Sequence, residues 1–381
     1  MTEAQSRNLA LDDVRHPIAT AATLPPDAYT SDRVLTDEVA RIFQKHWIGV
    51  GRADRVKNPG DFAAMDIAGI PVVLVRDSGG VLRAHANTCR HRSAQIKTGE
   101  GNCKRLVCPF HAWTYALDGS LIGAPNMEKA AGFDKSDFPL VSFRAGERDG
   151  FAFICMDENA PDIDTWLGDF PELHRPWNLG GHVSTYRTEF EVACNWKTFL
   201  EVFNEYYHLP YVHPDSIDSV YKVPDAADDV TGSYTTQFGE TEGTGGLLET
   251  QQASALPTNP SLDGRNRHGT RYTWIYPNMT FAASTEGTWV YETLPLTPDR
   301  CRVGMTVTFP EETTRTDGFE EKSAIYVSRM HAAVDEDIPM LEQQQIGLKS
   351  PFARKGRFCE ALEPSVANFA CWYAEQMRAG A

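Results

Sequence analysis

The run Cys89-Arg90-His91, sixteen intervening residues, then Cys108-Pro109-Phe110-His111 constrains this chain more than any other feature. Two thiolates and two imidazoles make a four-ligand soft site, the donor set of zinc or of iron–sulfur chemistry. Both Cys–His pairs fall at turns in a region of strand character, so two loops can approach one another and share a metal group. A structural zinc ion is the less favoured reading, because zinc loops usually separate their ligands by two or more residues and C-x-H is tighter.

The surroundings suit a small β unit. Residues 54–157 carry short strand-like runs broken by glycine. Pro71-Val72-Val73-Leu74-Val75 reads as a strand, Asp77-Ser78-Gly79-Gly80 as a turn, and Val81 onward as the returning strand. Leu106-Val107 and Phe151-Ala152-Phe153-Ile154 read as further strands of the same unit. Upstream, Ser31 or Thr36 can cap a helix with Asp37 and Glu38 in its first turn, and Val39, Ile42, Phe43 and Trp47 fall at core spacing. Downstream, Pro161, Pro171 and Pro176 mark a connector. A second unit opens with Tyr186-Arg187-Thr188-Glu189-Phe190-Glu191-Val192, which alternates like a sheet strand. A helix is expected over residues 196–207, long loops over 215–270, strands over 271–309, and helices from Gly318 on. The predicted fold is α+β. An N-terminal helical segment (1–40) is expected to pack on the larger, later domain, and is followed by a small all-β domain (41–157). A larger α+β domain (158–381) has an antiparallel sheet flanked by helices.

With 381 residues the chain has room for two such domains. A net charge of −16 argues against nucleic acid as a partner, since phosphate binding needs a basic face. No run approaches the ~20 apolar residues of a membrane span, and residues 1–26 lack the apolar core of a secretory signal. The other cysteines (Cys103, Cys155, Cys194, Cys301, Cys359, Cys371) are scattered and read as core or inert thiols, which suits a cytoplasmic protein.

A second constellation lies in the larger unit: Glu201, Glu205, His208, Pro210 and His213. On an ideal helix His208 and His213 point about 140° apart. Pro210 is expected to break the ladder so that both imidazoles meet one metal. Glu205, three residues before His208, is expected on the same helical face. Two neutral imidazoles and one carboxylate on one face of an iron leave positions open for dioxygen and substrate.

Taken together, these residues resemble the Rieske non-heme iron oxygenases, from about residue 38 to 360. The signature C-x-H-R, C-P-x-H-x-W-x-Y and D-G-x-L is matched by Cys89 through His111, Trp113, Tyr115, Asp118-Gly119 and Leu121. Ser93 and Ala112 depart from it, standing where glycine is usual, and are expected to add only a little side-chain volume. The resemblance implies a [2Fe–2S] cluster with Cys89 and Cys108 on its inner iron and His91 and His111 on its outer iron. It also implies a mononuclear Fe(II) on His208, His213 and Asp337, the last from the acidic run Asp335-Glu336-Asp337 that precedes Glu342 and Gln344. Pro339 is then expected to begin or kink a helix just after that ligand. Glu205 stands where many members have Asp, and the resemblance makes it the bridge from His208 to His111 of a neighbouring subunit. Val202 departs from a usual Asn.

What else the resemblance implies is a homotrimer fed by an NAD(P)H-dependent reductase, with dioxygen as co-substrate. Glu205, the Tyr-His-Leu-Pro context and Leu294-Pro295-Leu296-Thr297-Pro298 resemble the branch acting on choline, carnitine and betaines; the alternative is an aromatic ring or aromatic acid. A trimethylammonium group wants aromatic faces, and Phe199, Phe203, Tyr206, Tyr211, Trp274, Tyr276, Trp289 and Tyr291 are candidates. Arg271 or Lys222 is the candidate base for a substrate carboxylate. A bare electron carrier has no use for the His208/His213 pair, and a zinc scaffold none for the tight C-x-H spacing.

Overall fold

Strand-forming runs punctuated by glycine fold back on one another between Phe43 and Ile163, the first of two units into which the chain divides. The computed structural model describes residues 9–214 and 216–378. In this unit β1 (Ile48–Arg52), β2 (Asp61–Ile67), β3 (Ile70–Arg76), β4 (Leu82–Ala86) and β5 (Glu100–Asn102) join β9 (Ser142–Arg148) and β10 (Phe151–Cys155). They form an antiparallel seven-stranded sheet in the order β1-β10-β9-β4-β3-β2-β5. Val72 to Val75 of β3 are fully buried, as expected of a β-branched run inside a sheet. The turn to β4 is held by the Asp77 carboxylate, which accepts from Gly79 N at 2.8 Å and Val81 N at 2.9 Å. Gly80 takes the left-handed conformation there, at φ +82°. A smaller sheet of β6 (Leu106–Val107), β7 (Thr114–Tyr115) and β8 (Leu121–Gly123) packs its buried side chains into one core with Phe62, Val73 and Val75.

The second unit takes residues up to Ile42 and from Asp164 onward. Its first helices are α1 (Asp27–Thr30) and α2 (Asp32–Glu38). Ser31 caps α2, its hydroxyl accepting from Val34 N at 3.5 Å. Glu38 therefore ends the helix instead of starting one, and it is buried. The proline connector is partly helical: α3 (Ile163–Leu167) and α4 (Phe170–His174) fall within it, and Pro171 occupies the first turn of α4, where a missing N–H costs nothing.

Six antiparallel strands build the main sheet: β11 (His182–Val192), β12 (Tyr234–Glu240), β13 (Gly269–Ile275), β14 (Met279–Ala283), β15 (Thr288–Thr297) and β16 (Arg300–Pro310), ordered β11-β16-β15-β14-β13-β12. Strand β12 corrects the expectation of loops alone over 215–270. Its polar residues Thr235, Thr236 and Gln237 are buried, so it shows no apolar alternation; the Thr236 hydroxyl donates to Tyr272 O at 3.0 Å. Helix α5 (Trp196–Phe203) packs on β15, α6 (Leu209–Val212) follows it, and α7 (Phe319–Leu348) and α8 (Pro364–Arg378) complete the unit. Pro339 lies inside α7, so it does not begin that helix; it removes the donor that the Asp335 carbonyl would otherwise meet. Among the described residues no helix is long and apolar enough to cross a membrane.

Candidate metal centres and substrate cavity

The two Cys–His loops are one loop built twice. The first is closed by the bridge Thr88 to Gln95, the second by the pairing of Val107 with Thr114. In each, the cysteine carbonyl accepts from the amide four residues on: Ser93 N to Cys89 O at 2.9 Å, and Ala112 N to Cys108 O at 3.1 Å. The cysteine amide then donates to the next carbonyl, Ala94 O at 2.9 Å and Trp113 O at 2.8 Å. Closing the turn this way forces the fifth residue left-handed, and Ser93 and Ala112 both stand at φ +57°. The expected effect of these two departures, a little extra volume, is thus corrected: their consequence is backbone strain at positions glycine would occupy freely.

This geometry turns the thiols inward and the imidazoles outward. Cys89 and Cys108 belong to the core around Trp113 and Tyr115, whereas His91 and His111 are exposed, with their Nδ1 atoms 3.2 Å apart. Tyr115 Oη meets Cys89 Sγ at 3.3 Å and accepts from Arg90 N at 3.0 Å, fixing the first loop. Burial, followed by the neighbouring Cys89, raises the pKa of Cys108, and a bound metal would hold such a sulfur as thiolate. A soft, two-sulfur interior facing a two-nitrogen exterior fits a [2Fe–2S] cluster with histidines on one iron.

In the other unit, α5 ends sooner than its sequence suggests. Asn204 donates through Nδ2 to Leu200 O at 2.6 Å and its Oδ1 accepts from Thr280 at 3.1 Å, so the chain leaves the helix there. Glu205 consequently lies beyond α5, not on a helical face shared with His208. Pro210 does not break a ladder either: it sits in the first turn of α6, and His213 N still donates to Leu209 O at 2.9 Å. The imidazoles converge because His208 precedes α6 and His213 ends it with φ −119°, outside helical geometry; their ring centroids are 5.1 Å apart.

Asp337 on α7 meets both. Its Oδ1 is 2.9 Å from His213 Nε2 and 3.6 Å from His208 Nε2, and the three donor atoms lie within 4.8 Å of one another. Each imidazole is gripped from behind by a carboxylate, Glu205 Oε1 at 2.5 Å from His208 Nδ1 and Glu336 Oε2 at 2.6 Å from His213 Nδ1. A proton held at Nδ1 leaves the Nε2 lone pair for a metal. Burial works against charge on His213, but Asp337 and then Glu336 prevail and its pKa is raised. The donor set, two Nε2 atoms and one carboxylate oxygen, fits mononuclear iron.

A cavity of about 70 Å³ adjoins these residues. Of the expected aromatics, Phe199, Phe203, Tyr206, Trp289 and Tyr291 line it. The others do not: Trp274 stacks on Phe369 at 3.9 Å, Tyr276 packs on Trp372 at 5.0 Å, and Tyr211 is 77% exposed. Tyr221 and Tyr272 join the lining, and edge-to-face contacts such as Phe203 on Tyr291 at 5.1 Å and Tyr206 on Tyr272 at 5.6 Å knit the rings together. Neither candidate base reaches it. Arg271 pairs with Asp228 and lies over Trp177, and Lys222 is 3.6 Å from Glu242 on the surface. The cation that does line the cavity is Arg329 of α7, a lone arginine that no local motif distinguishes. Glu336, which in the sequence reads only as one member of an acidic run, also belongs to this site, and its place directly before Asp337 is the one signal the sequence offers for it. A second cavity, of about 380 Å³, shares Val202, Glu205, His208 and Asp337 with the first.

Known protein families match both parts of the chain. Residues 46–141 match the Rieske [2Fe-2S] domain, and residues 180–379 match the ring hydroxylating alpha subunit, catalytic domain. The carnitine monooxygenase oxygenase subunit of Acinetobacter pittii (strain PHEA-2) is 31% identical over 87% of this chain and 86% of its own length. The chloroplastic choline monooxygenase of Beta vulgaris is 29% identical over 96% of this chain and 79% of its own. The crystal structure of the quaternary ammonium Rieske monooxygenase CntA in complex with L-carnitine superposes with a TM-score of 0.81 at 27% identity, covering 97% of this chain and 99% of that one. With a cluster-binding β unit, a two-histidine, one-carboxylate centre and both family domains in order, the chain belongs to the Rieske non-heme iron oxygenases, an oxygenase component carrying a [2Fe–2S] cluster and a mononuclear iron.

Proposed function

We propose that this protein is the terminal oxygenase of an NAD(P)H-dependent system that hydroxylates, N-demethylates or cleaves a small quaternary ammonium compound. The observation that carries this reading is the cage of seven aromatic rings around the cavity beside His208, His213 and Asp337. Tertiary and quaternary ammonium groups bind such faces through the ring quadrupole, and the cage offers little to hydrate a charge otherwise. Its likeness to choline and carnitine monooxygenases points the same way.

Cys89, His91, Cys108 and His111 would hold the cluster, and His208, His213 and Asp337 the mononuclear iron. Bound there, the cluster and iron would supply a one-electron relay from a reductase and a site for dioxygen reduction. The chain's own work is positioning. Glu205 and Glu336 keep protons at the Nδ1 atoms of His208 and His213, fixing both rings. The aromatic cage excludes water and holds a substrate bond beside the Nε2 face, where orientation is worth several orders of magnitude in rate. Assembly as a homotrimer, with Glu205 linking His208 to His111 of a neighbour, is part of the proposal; it is supported by the Glu205–His208 contact on this chain's side.

The test is product formation by anaerobically purified, iron-replete protein with a surrogate reductase, NADH and dioxygen, against paired panels of betaines and aromatic acids. Formaldehyde, trimethylamine or an aldehyde from the first panel is the expected result. Product from the aromatic acids alone would keep the oxygenase and discard the ammonium substrate.

A further inference from the structure

We infer that Arg329 is an anion-binding residue of the substrate cavity, so that the substrate carries a carboxylate as well as its quaternary ammonium group. This rests on the ammonium reading above and narrows it from trimethylammonium compounds in general to zwitterions.

Arg329 is 4% exposed and lines the cavity. A buried guanidinium needs compensation, because an unpaired charge away from water is expensive. Other arginines of this unit find it in the protein: Arg187 pairs with Glu292 at 2.5 Å and Glu189 at 2.8 Å, and Arg271 with Asp228. Arg329 has no carboxylate partner among the described residues. Its Nη2 donates to the Tyr221 hydroxyl, its Nη1 reaches only the thioether of Met330 at 3.5 Å, and its Nε is buried without any partner. The rings of Trp289 and Tyr221 lie 5.4 and 5.6 Å from the guanidinium carbon. They pack against it but leave its forked N–H groups short of an acceptor. That fork matches a carboxylate in two-pronged geometry.

Position supports the same conclusion. Arg329, Ala333 and Asp337 follow one another at four-residue spacing on α7 and all line the cavity. Eight residues of helix put the backbones of Arg329 and Asp337 about 12 Å apart along the axis. The anion would therefore be held a substrate's length from the metal-binding face, leaving the methylated nitrogen among the rings near Asp337. A simple cation such as choline brings a second positive charge into a cavity that already holds Arg329, and carries no anion of its own to meet the guanidinium.

Titration calorimetry of anaerobic, iron-replete protein tests this with choline, glycine betaine, γ-butyrobetaine and benzoate as probes. In the wild type, at least one betaine should bind about 100-fold tighter than choline, the scale set by a desolvated charge pair. Arg329→Gln should lose about 100-fold in betaine affinity while changing choline binding less than threefold. Arg329→Lys, which keeps the charge without the fork, should fall between and serves if the glutamine variant does not fold. Choline binding as tightly as the better betaine, equal loss of both in Arg329→Gln, or no binding by any carboxylate overturns the assignment. Tight benzoate with no betaine binding would uphold the anion site and overturn the ammonium reading instead.

Discussion

Ser93 and Ala112 hold a left-handed backbone that L-residues enter at a cost of roughly 1–2 kcal/mol, partly offset because glycine loses more freedom on folding. Ser93→Gly and Ala112→Gly should each stabilise the cluster unit by about 1 kcal/mol in denaturant titrations followed at the cluster's visible absorbance; a loss of stability would mean their side chains do something the backbone argument omits. Both departures were visible in the sequence, but a residue's identity does not state its φ, and that is why their cost was misplaced. Glu336 shows the same limit. As one acid in a run it reads as solvated surface, and only the fold delivers its Oε2 to His213 Nδ1. Glu336→Ala should weaken Fe(II) binding at the mononuclear site by about 10- to 100-fold, measured by metal titration, with the cluster spectrum unaltered. Unchanged Fe(II) affinity would remove its orienting role.

Helix α5 carries more than the approach to His208. Its Lys197 donates to Glu38 at 2.6 Å, Glu38 also accepts from Trp196 Nε1 at 2.9 Å and Tyr373 Oη at 2.6 Å, and so α2, α5 and α8 are tied at one buried point. One turn on, Glu201 accepts from Tyr29 Oη at 2.8 Å. Burial pushes the Glu201 carboxyl up to about 7, against the opposing pull of Tyr29 and Lys197. An acid raised in this way keeps its proton in the folded state between its ordinary value and about 7, where the unfolded chain has released it. Folding stability attributable to Glu201 is therefore present at low pH, declines as pH rises through that window, and levels off above it. Glu201→Gln should abolish that slope, gaining in melting temperature over the wild type from pH 5 to pH 8; parallel curves would show that Glu201 ionises normally. At this scale the sequence was legible wherever periodicity was clean, as in β3 and β11. It misled where a cap or a polar strand intervened, as at Glu38, Asn204 and β12, since those depend on partners distant in the chain.

Across the whole molecule, the two candidate centres differ in how their ligands were found. The cluster residues lie between positions 89 and 111, inside one unit, so local spacing alone exposes them. Asp337 is 124 positions from His213, and neither it nor Arg329 is marked by any local pattern; only the family resemblance pointed to the first, and only the fold to the second. The division also makes the centres separable. All four proposed cluster ligands belong to the unit Phe43–Ile163, and His208, His213 and Asp337, the proposed mononuclear ligands, belong to the other, so removing one of the latter should disturb no cluster bond. His213→Ala should keep the cluster's visible and electron-resonance spectra, lose the mononuclear iron and yield no product. Glu205→Ala should behave differently, because it removes a positioning carboxylate and leaves all seven proposed ligands in place. Reduced, iron-loaded Glu205→Ala protein mixed with substrate and dioxygen should form product far more slowly than the wild type in a single turnover, with its cluster remaining reduced. If His213→Ala lost its cluster, the assignment of two independent centres would fall. If Glu205→Ala turned over once at the wild-type rate, the carboxylate would orient His208 without carrying electron traffic to it.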